Sequence, residues 1–235
     1  MEIAVISDLH LGSGGPADLF GHDDHEFLRF LSFLEGNFER IVLLGDIWET
    51  LTGKAFGDPA RELTLARAQH PEIARRFERQ RYTYVHGNHD LVARDVLLAP
   101  EQLTLNADGV RVVFSHGHQG DQLTSRHRWL SEIGVWLGAW IRRVGLQAAY
   151  TFFSRLESLR EGAGEESSRC VVRRWALEQA STCEADVIVA GHTHVPVRAE
   201  HGPCLFLNSG SCAEGRLSFL TLDTRRAEFA VHSTY

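Results

Sequence analysis

Lysine is almost missing from this chain of 235 residues: Lys54 is the only one, and the rest of the basic charge is arginine. Lys and Arg together number 24 against 31 Asp and Glu, a formal net charge of −7. A long phosphate-gripping surface for nucleic acid is therefore not the first expectation, because such domains are usually basic. Cysteine is also scarce. Cys170, Cys183, Cys204 and Cys212 form no C-x-x-C pair, and the chain is not cysteine-dense, so they read as reduced thiols of a cytoplasmic protein. The opening "MEIAVISDLH" lacks the basic and apolar regions of a secretory signal, and none is expected. No uncharged apolar run reaches the roughly 18 residues needed to cross a bilayer.

What is present suits one sizeable globular domain carrying an insertion, with 43% hydrophobic residues. Short apolar, β-branched runs recur, each ending in Gly, Asp, Asn or His: "EIAVISDLH", "RIVLLGDIWE", "RYTYVHGNHD", "VRVVFSHGH" and "ADVIVAGHTH". Continuous apolar runs of this kind suit strands buried on both faces. Helical patterns lie between them. One aligns Phe27, Phe30, Leu31 and Leu34 on a stripe. Another starts with Asp58 as N-cap and Pro59 in its first turn, and Pro71 breaks or kinks it. The tail, from "VPVRAE" through "PCLFLNSGS" to "EFAVHS", reads as short, antiparallel strands. This alternation predicts an α/β sandwich with helices outside packed sheets.

Taken singly, Asp in "GD" and Asn in "GN" are ordinary turn formers. Five strand ends with the same polar chemistry are a stronger signal. Asp8 and His10 follow the first strand, Asp46 and Glu49 the second, Asn88, His89 and Asp90 the third, His116 and His118 the fourth, His192 and His194 the fifth. In open α/β sheets the carboxyl ends of strands border the binding crevice, so these groups would converge there. Carboxylate oxygen beside neutral imidazole suits Mn, Fe, Zn or Co, and an Asn carbonyl adds a ligand without charge. Asp46 could bridge two cations roughly 3.5–4 Å apart that clamp a phosphate.

D-x-H, G-D-x-x-E, G-N-H-D, H-G-H and G-H-T-H, in this order from Asp8 to His194, resemble the calcineurin-like metallophosphoesterase family. The resemblance implies a four-layer αββα sandwich over residues 1–235, with a helical cap inserted at 121–182. It implies two divalent metals, manganese first, with Fe, Zn, Co or Ni as alternatives. Asp8, His10, Asp46 and His194 would ligate one, and Asn88, His116 and His192 the other, with Asp46 bridging. His89 would face the phosphate and protonate the leaving oxygen, and Glu49 would orient it. Gly87 would let the strand turn sharply, and Asp90 would cap the following turn or helix. The implied reaction is attack of a metal-bridging hydroxide on a phosphomonoester, diester or pyrophosphate.

The region 121–182 bears on the substrate. Trp129, Ile133, Trp136, Leu137, Trp140, Ile141 and Val144 share one helical face, and Phe152, Phe153, Leu156 and Leu159 add apolar surface. Arg126, Arg128, Arg142, Arg143, Arg155 and Arg160 interleave with them. The face is either core packing of the insertion or an apolar groove for a lipid chain or partner. "SDLHL" and "GDIWE" are similar to the bacterial UDP-2,3-diacylglucosamine pyrophosphohydrolases, which carry a helical cap over an acyl-chain pocket. This chain departs from them in having His89 in place of an Arg and "HGHQGD" in place of "HGD". His118, Arg126, Trp129 and Arg142 are the candidate substrate contacts, and the expected partner is a phosphorylated small molecule or lipid. The expected location is the cytoplasm, with peripheral contact at the inner face of the membrane compatible with the cap. A nuclease or cyclic-nucleotide phosphodiesterase, or a catalytically silent binding protein of the same fold, are the alternative readings.

Overall fold

In strand β1 (Glu2–Ile6), Ile3 and Val5 pack to one side and Ala4 and Ile6 to the other, and all four are fully buried. A strand without a wet face has to lie inside layers, and the rest of the fold supplies them. The computed structural model describes residues 1–120, 128–146 and 171–234. After β1 come α1 (Asp24–Asn37), β2 (Arg40–Leu44), α2 (Pro59–Gln69), α3 (Pro71–Phe77), β3 (Tyr82–Val85) and the single turn α4 (Ala93–Val96). Then follow β4 (Gln102–Ala107), β5 (Val110–Ser115), α5 (Arg128–Arg143) and α6 (Val171–Cys183). The chain closes with β6 (Val187–Ala190), β7 (Pro196–His201), β8 (Cys204–Ser209), β9 (Leu217–Asp223) and β10 (Glu228–Thr234).

Two five-stranded sheets form, in the orders β10-β9-β1-β2-β3 and β4-β5-β6-β8-β7. β1, β2 and β3 run parallel in the first, and β5, β6 and β8 in the second. The sheets meet through Ile3, Val5, Val42, Leu44 and Val85 on one side and Val112, Phe114, Val187, Val189 and Leu207 on the other. The outer face of the first sheet is covered by Phe27, Leu31 and Leu34 of α1, Leu63 and Ala66 of α2 and Ile73 of α3. The outer face of the second is covered by Val172, Ala176 and Ala180 of α6. The result is the α/β sandwich that the sequence patterns predict, with the four αββα layers that the family resemblance implies.

Local chemistry sets the helix ends. The Asp23 carboxylate accepts from the backbone N–H of His25 and Glu26 at the start of α1. Asp58 accepts from Arg61 N at 3.2 Å, with Pro59 in the first turn. Pro71 does break the helix: α2 ends before His70 and α3 begins at the proline.

Three features differ from the sequence expectations or go beyond them. β4 is not among the five expected strands. It pairs antiparallel with β5 through a two-residue turn at Asp108 and Gly109, both with positive φ (53° and 82°), which is the Asp-Gly hairpin signature. β8, expected in an antiparallel tail, runs parallel to β6 and brings a sixth strand end to the same edge. α6 overlaps the end of the 121–182 range expected for the cap and packs as an outer layer on the second sheet. Phe152, Phe153, Arg155, Leu156, Leu159 and Arg160 lie outside the described residues.

Leu31 is fully buried where α1 meets the first sheet. Leu31→Ala is expected to cost about 2–5 kcal/mol of stability. Equilibrium urea unfolding measures it, and a change below about 1 kcal/mol would contradict this packing.

Candidate metal centre

The loops after β1, β2, β3, β5 and β6 converge because these strands point the same way in two facing sheets. The first two loops are zipped together: Asp8 N, His10 N and Leu11 N donate to Gly45 O, Asp46 O and Ile47 O at 3.0–3.1 Å, and Glu49 N returns to Leu11 O at 2.9 Å. Asp90 joins the third loop to the second. Its Oδ2 accepts from Ile47 N at 2.7 Å, from Trp48 N at 3.2 Å and from the Tyr84 hydroxyl, and its Oδ1 accepts from Gly87 N at 2.6 Å. Asp90 is therefore a tie across loops rather than a helix cap. Gly87 is needed for closeness rather than for a turn: its φ is ordinary, but a Cβ there would overlap Asp46 Oδ1. At Gly45, with φ 81°, a Cβ would overlap the His116 ring.

Five of the site residues themselves lie in the left-handed region, Asp8 (φ 52°), His10 (49°), Asp46 (52°), His192 (72°) and His194 (61°). Such conformations are disfavoured for side chains with a Cβ and concentrate at functional sites.

Among the described residues, three groups of potential ligand atoms result, each with its atoms within 4.8 Å of one another: Asp8, His10 and His194; Asp46, His116 and His192; and His10, Glu49 and His89. The third is a hydrogen-bond relay. Glu49 Oε2 accepts from Nδ1 of His10 (3.1 Å) and of His89 (2.8 Å), while Oε1 accepts from Leu51 N (2.9 Å). The other two are contiguous. His116 Nε2 lies 3.1 Å from Asp46 Oδ2 and 3.8 Å from Asp8 Oδ1, and His194 Nε2 lies 3.2 Å from Asp8 Oδ1. Backbone contacts orient them. His116 Nδ1 donates to Leu44 O at 2.8 Å, which leaves Nε2 as the nitrogen available to a metal. Asp46 Oδ1 accepts from His89 N at 2.8 Å, and Asp8 Oδ2 from His192 N at 3.2 Å.

Asp8 Oδ1, Asn88 Oδ1 and His116 Nε2 are buried without a well-aligned hydrogen bond, the first and last having ion-pair contacts to His194 and Asp46. Buried polar atoms rarely lack a partner, and divalent cations would satisfy all three. The donor set of carboxylate, imidazole and amide oxygen fits a borderline transition metal. The electrostatics agree. Burial opposes ionisation of Asp46, but the imidazoles of His116 and His89 hold its carboxyl well below the usual range. Burial works equally against Glu49, yet His89 and His10 bring it down to about 2. Burial would lower His89, but the Glu49 and Asp46 carboxylates lift it to about 10. His118 goes the other way: burial, then the nearby His116 and His192, push it to about 2, so it is a neutral imidazole.

The expected substrate contacts are placed unevenly. His118 is buried, with its ring 5.6 Å from that of His116. Trp129 is 61% exposed on α5. Arg142 reaches Asp18 O at 3.5 Å. Arg126 lies outside the described residues. The sequence reading missed the β8 end. There Ser209 Oγ bonds Ser7 Oγ at 2.7 Å, Ser211 Oγ donates to Asp8 O at 3.0 Å, and Asn208 Nδ2 donates to Gly191 O at 2.7 Å. The signal was the same as at the other strands, a polar "NSGS" closing an apolar run.

The fold and this cluster define a metal-dependent phosphoester hydrolase. A family model described as calcineurin-like phosphoesterase matches residues 1–196, and the chain belongs to that family. A curated relative from Ralstonia nicotianae, a UDP-2,3-diacylglucosamine hydrolase, is 28% identical and covers 86% of this chain and 80% of its own. One of the same name from Shewanella halifaxensis is 25% identical, with 83% of each chain covered. A solved archaeal phosphodiesterase aligns over 100% of both chains at 17% identity with a TM-score of 0.49.

Asp90→Ala removes the acceptor for three buried backbone N–H groups. It should lower stability by about 3 kcal/mol or more, at about 1–3 kcal/mol per stranded donor, and weaken Mn²⁺ binding. Urea denaturation with calorimetric Mn²⁺ titration measures both, and wild-type values in both would refute the tie.

Proposed function

We propose that the chain holds two divalent cations and hydrolyses a phosphodiester or pyrophosphate carried by a lipid-bearing nucleotide. The observation that carries this reading is the pair of contiguous ligand groups around three buried atoms without well-aligned hydrogen bonds. In it, Asp8, His10 and His194 would hold one cation and Asn88, His116 and His192 the other, with Asp46 available to both. Cations bound there supply Lewis-acid stabilisation of the phosphoryl oxygens and raise the acidity of water.

The chain's own residues do the rest. Glu49 fixes the His89 ring through Nδ1, which leaves Nε2 free to carry a proton. With Nδ1 held by Glu49, a proton carried at Nε2 can be shared with a phosphoryl oxygen and passed to the leaving oxygen. The lipid part of the proposal is supported by α5, where Trp129, Leu137, Trp140 and Val144 are 45–61% exposed. It is supported too by the substrate in the relatives' name. α5 is anchored to the loop after Glu49 by the Trp136 indole, which donates to Gly53 O at 3.1 Å. No described helix is long and apolar enough to cross a membrane.

Hydrolysis of bis-p-nitrophenyl phosphate, p-nitrophenyl phosphate and UDP-2,3-diacylglucosamine, each with Mn²⁺ and with EDTA, tests the reading. Metal-dependent turnover that favours the lipid nucleotide is the expected result. Turnover of the aryl esters alone would remove the lipid part, and no turnover would remove the whole. His89→Ala should lower kcat about 10²–10⁴-fold with unchanged metal content. A wild-type kcat in that variant would take the proton transfer away from His89.

A further inference from the structure

A cleft of about 730 Å³ opens between the loop after β1, the loop after β2, one face of α2 and the end of α5. Ser13, Lys54, Arg61, Glu62, Gln69 and Arg143 are among its lining. Two of its walls are direct continuations of the catalytic loops. Ser13 comes three residues after His10, and Lys54 five after Glu49. Arg143 fixes the second wall by donating to Gly53 O at 3.1 Å and to Thr52 O.

The charge of the cleft is opposite to that of the chain. Lys54, Arg61 and Arg143 bring three cations and Glu62 one carboxylate, in a protein of formal net charge −7. Among the described residues, none of the three cations is ion-paired. The partners of the Arg143 guanidinium among the described residues are two carbonyl oxygens. Glu62 is only 8% exposed, yet its carboxylate accepts a single long bond, 3.4 Å from Ser13 Oγ. The other Glu62 oxygen is not among the buried unpartnered atoms, so it is open to water and has acceptor capacity to offer a ligand N–H or O–H. A volume of this size is that of a pocket for a small organic ligand.

Building on the hydrolase reading above, we infer that this cleft is the subsite for the nucleotide half of the substrate. Lys54 and Arg61 attract its anionic phosphate, and Glu62 accepts from an O–H or N–H of its sugar or base. Cations without partners favour an anion, and a buried acceptor between them favours one that also carries donors. An acyl chain meets neither demand.

Calorimetric binding of uridine 5′-monophosphate, uridine and inorganic phosphate, in Mn²⁺ and in EDTA, tests the inference. The nucleotide should bind under both conditions, more weakly as salt rises, and more tightly than either fragment. The exposed double variant K54A/R61A should weaken it at least about tenfold, and Glu62→Gln should weaken it as well. In hydrolysis, K54A/R61A should raise KM for UDP-2,3-diacylglucosamine with kcat nearly unchanged, and leave bis-p-nitrophenyl phosphate unaffected. Absence of nucleotide binding to the wild type in EDTA, or unchanged affinity in K54A/R61A, would overturn the subsite. Absence of metal-dependent turnover with nucleotide binding intact would overturn the hydrolase reading instead and leave the cleft as a nucleotide site.

Discussion

Four carboxylates, Asp8, Asp46, Glu49 and Asp90, are gathered at one end of the sandwich, and none is more than 2% exposed. An ion taken out of water costs several kcal/mol unless something compensates it, and four like charges in one place compound the cost. Each is compensated differently. Asp90 is satisfied by three backbone N–H groups and a tyrosine hydroxyl, and so holds the loops together. Glu49 is satisfied by two imidazoles and a backbone N–H. Asp8 and Asp46 keep oxygens turned toward His116 and His194. In the metal-free chain this balance requires protons on the histidines. Cations would take over that role, so binding them releases protons from the same rings.

The strain at the site follows from this crowding. Left-handed backbone at Asp8, Asp46 and His192 brings short polar side chains back toward one point directly after each strand. Each such residue costs about 1–3 kcal/mol, and the packed strands behind it absorb that cost. The central strands β1, β2, β6 and β8 are therefore a rigid frame, buried on both faces, and the chemistry lies on the loops they hold.

Much of this was legible in the sequence because each strand and its ligand sit within a few residues of one another. "VISDLH" and "LLGDIWE" encode a buried strand and its polar end together. The Asp58–Pro59 helix start and the break at Pro71 were equally local. What escaped depended on partners distant in the chain. Asp90 looks like a cap until Ile47 and Trp48 arrive from 43 and 42 residues away. Gly87 looks like a turn former until Asp46 packs against it. The direction of β8 depends on β6, with which it pairs across the β7 excursion. The short strand β4 was missed because its alternating half-exposed residues lack the continuous apolar run of the buried strands.

The position of β1 has a consequence for how the chain folds. It is paired on one side with β2 and on the other with β9, so that Glu2 lies opposite Asp223. The first strand to be made waits for one of the last. Loops closed over such separations slow the search for the native state. Until β9 arrives, an apolar strand has an open edge, which is the surface that pairs wrongly with other chains. β2 and β3 form their parallel ladder without β9 and bring Asp46 and Asn88 beside Asp8 and His10. Four of the seven proposed ligands can thus be assembled while the sheet is still unfinished.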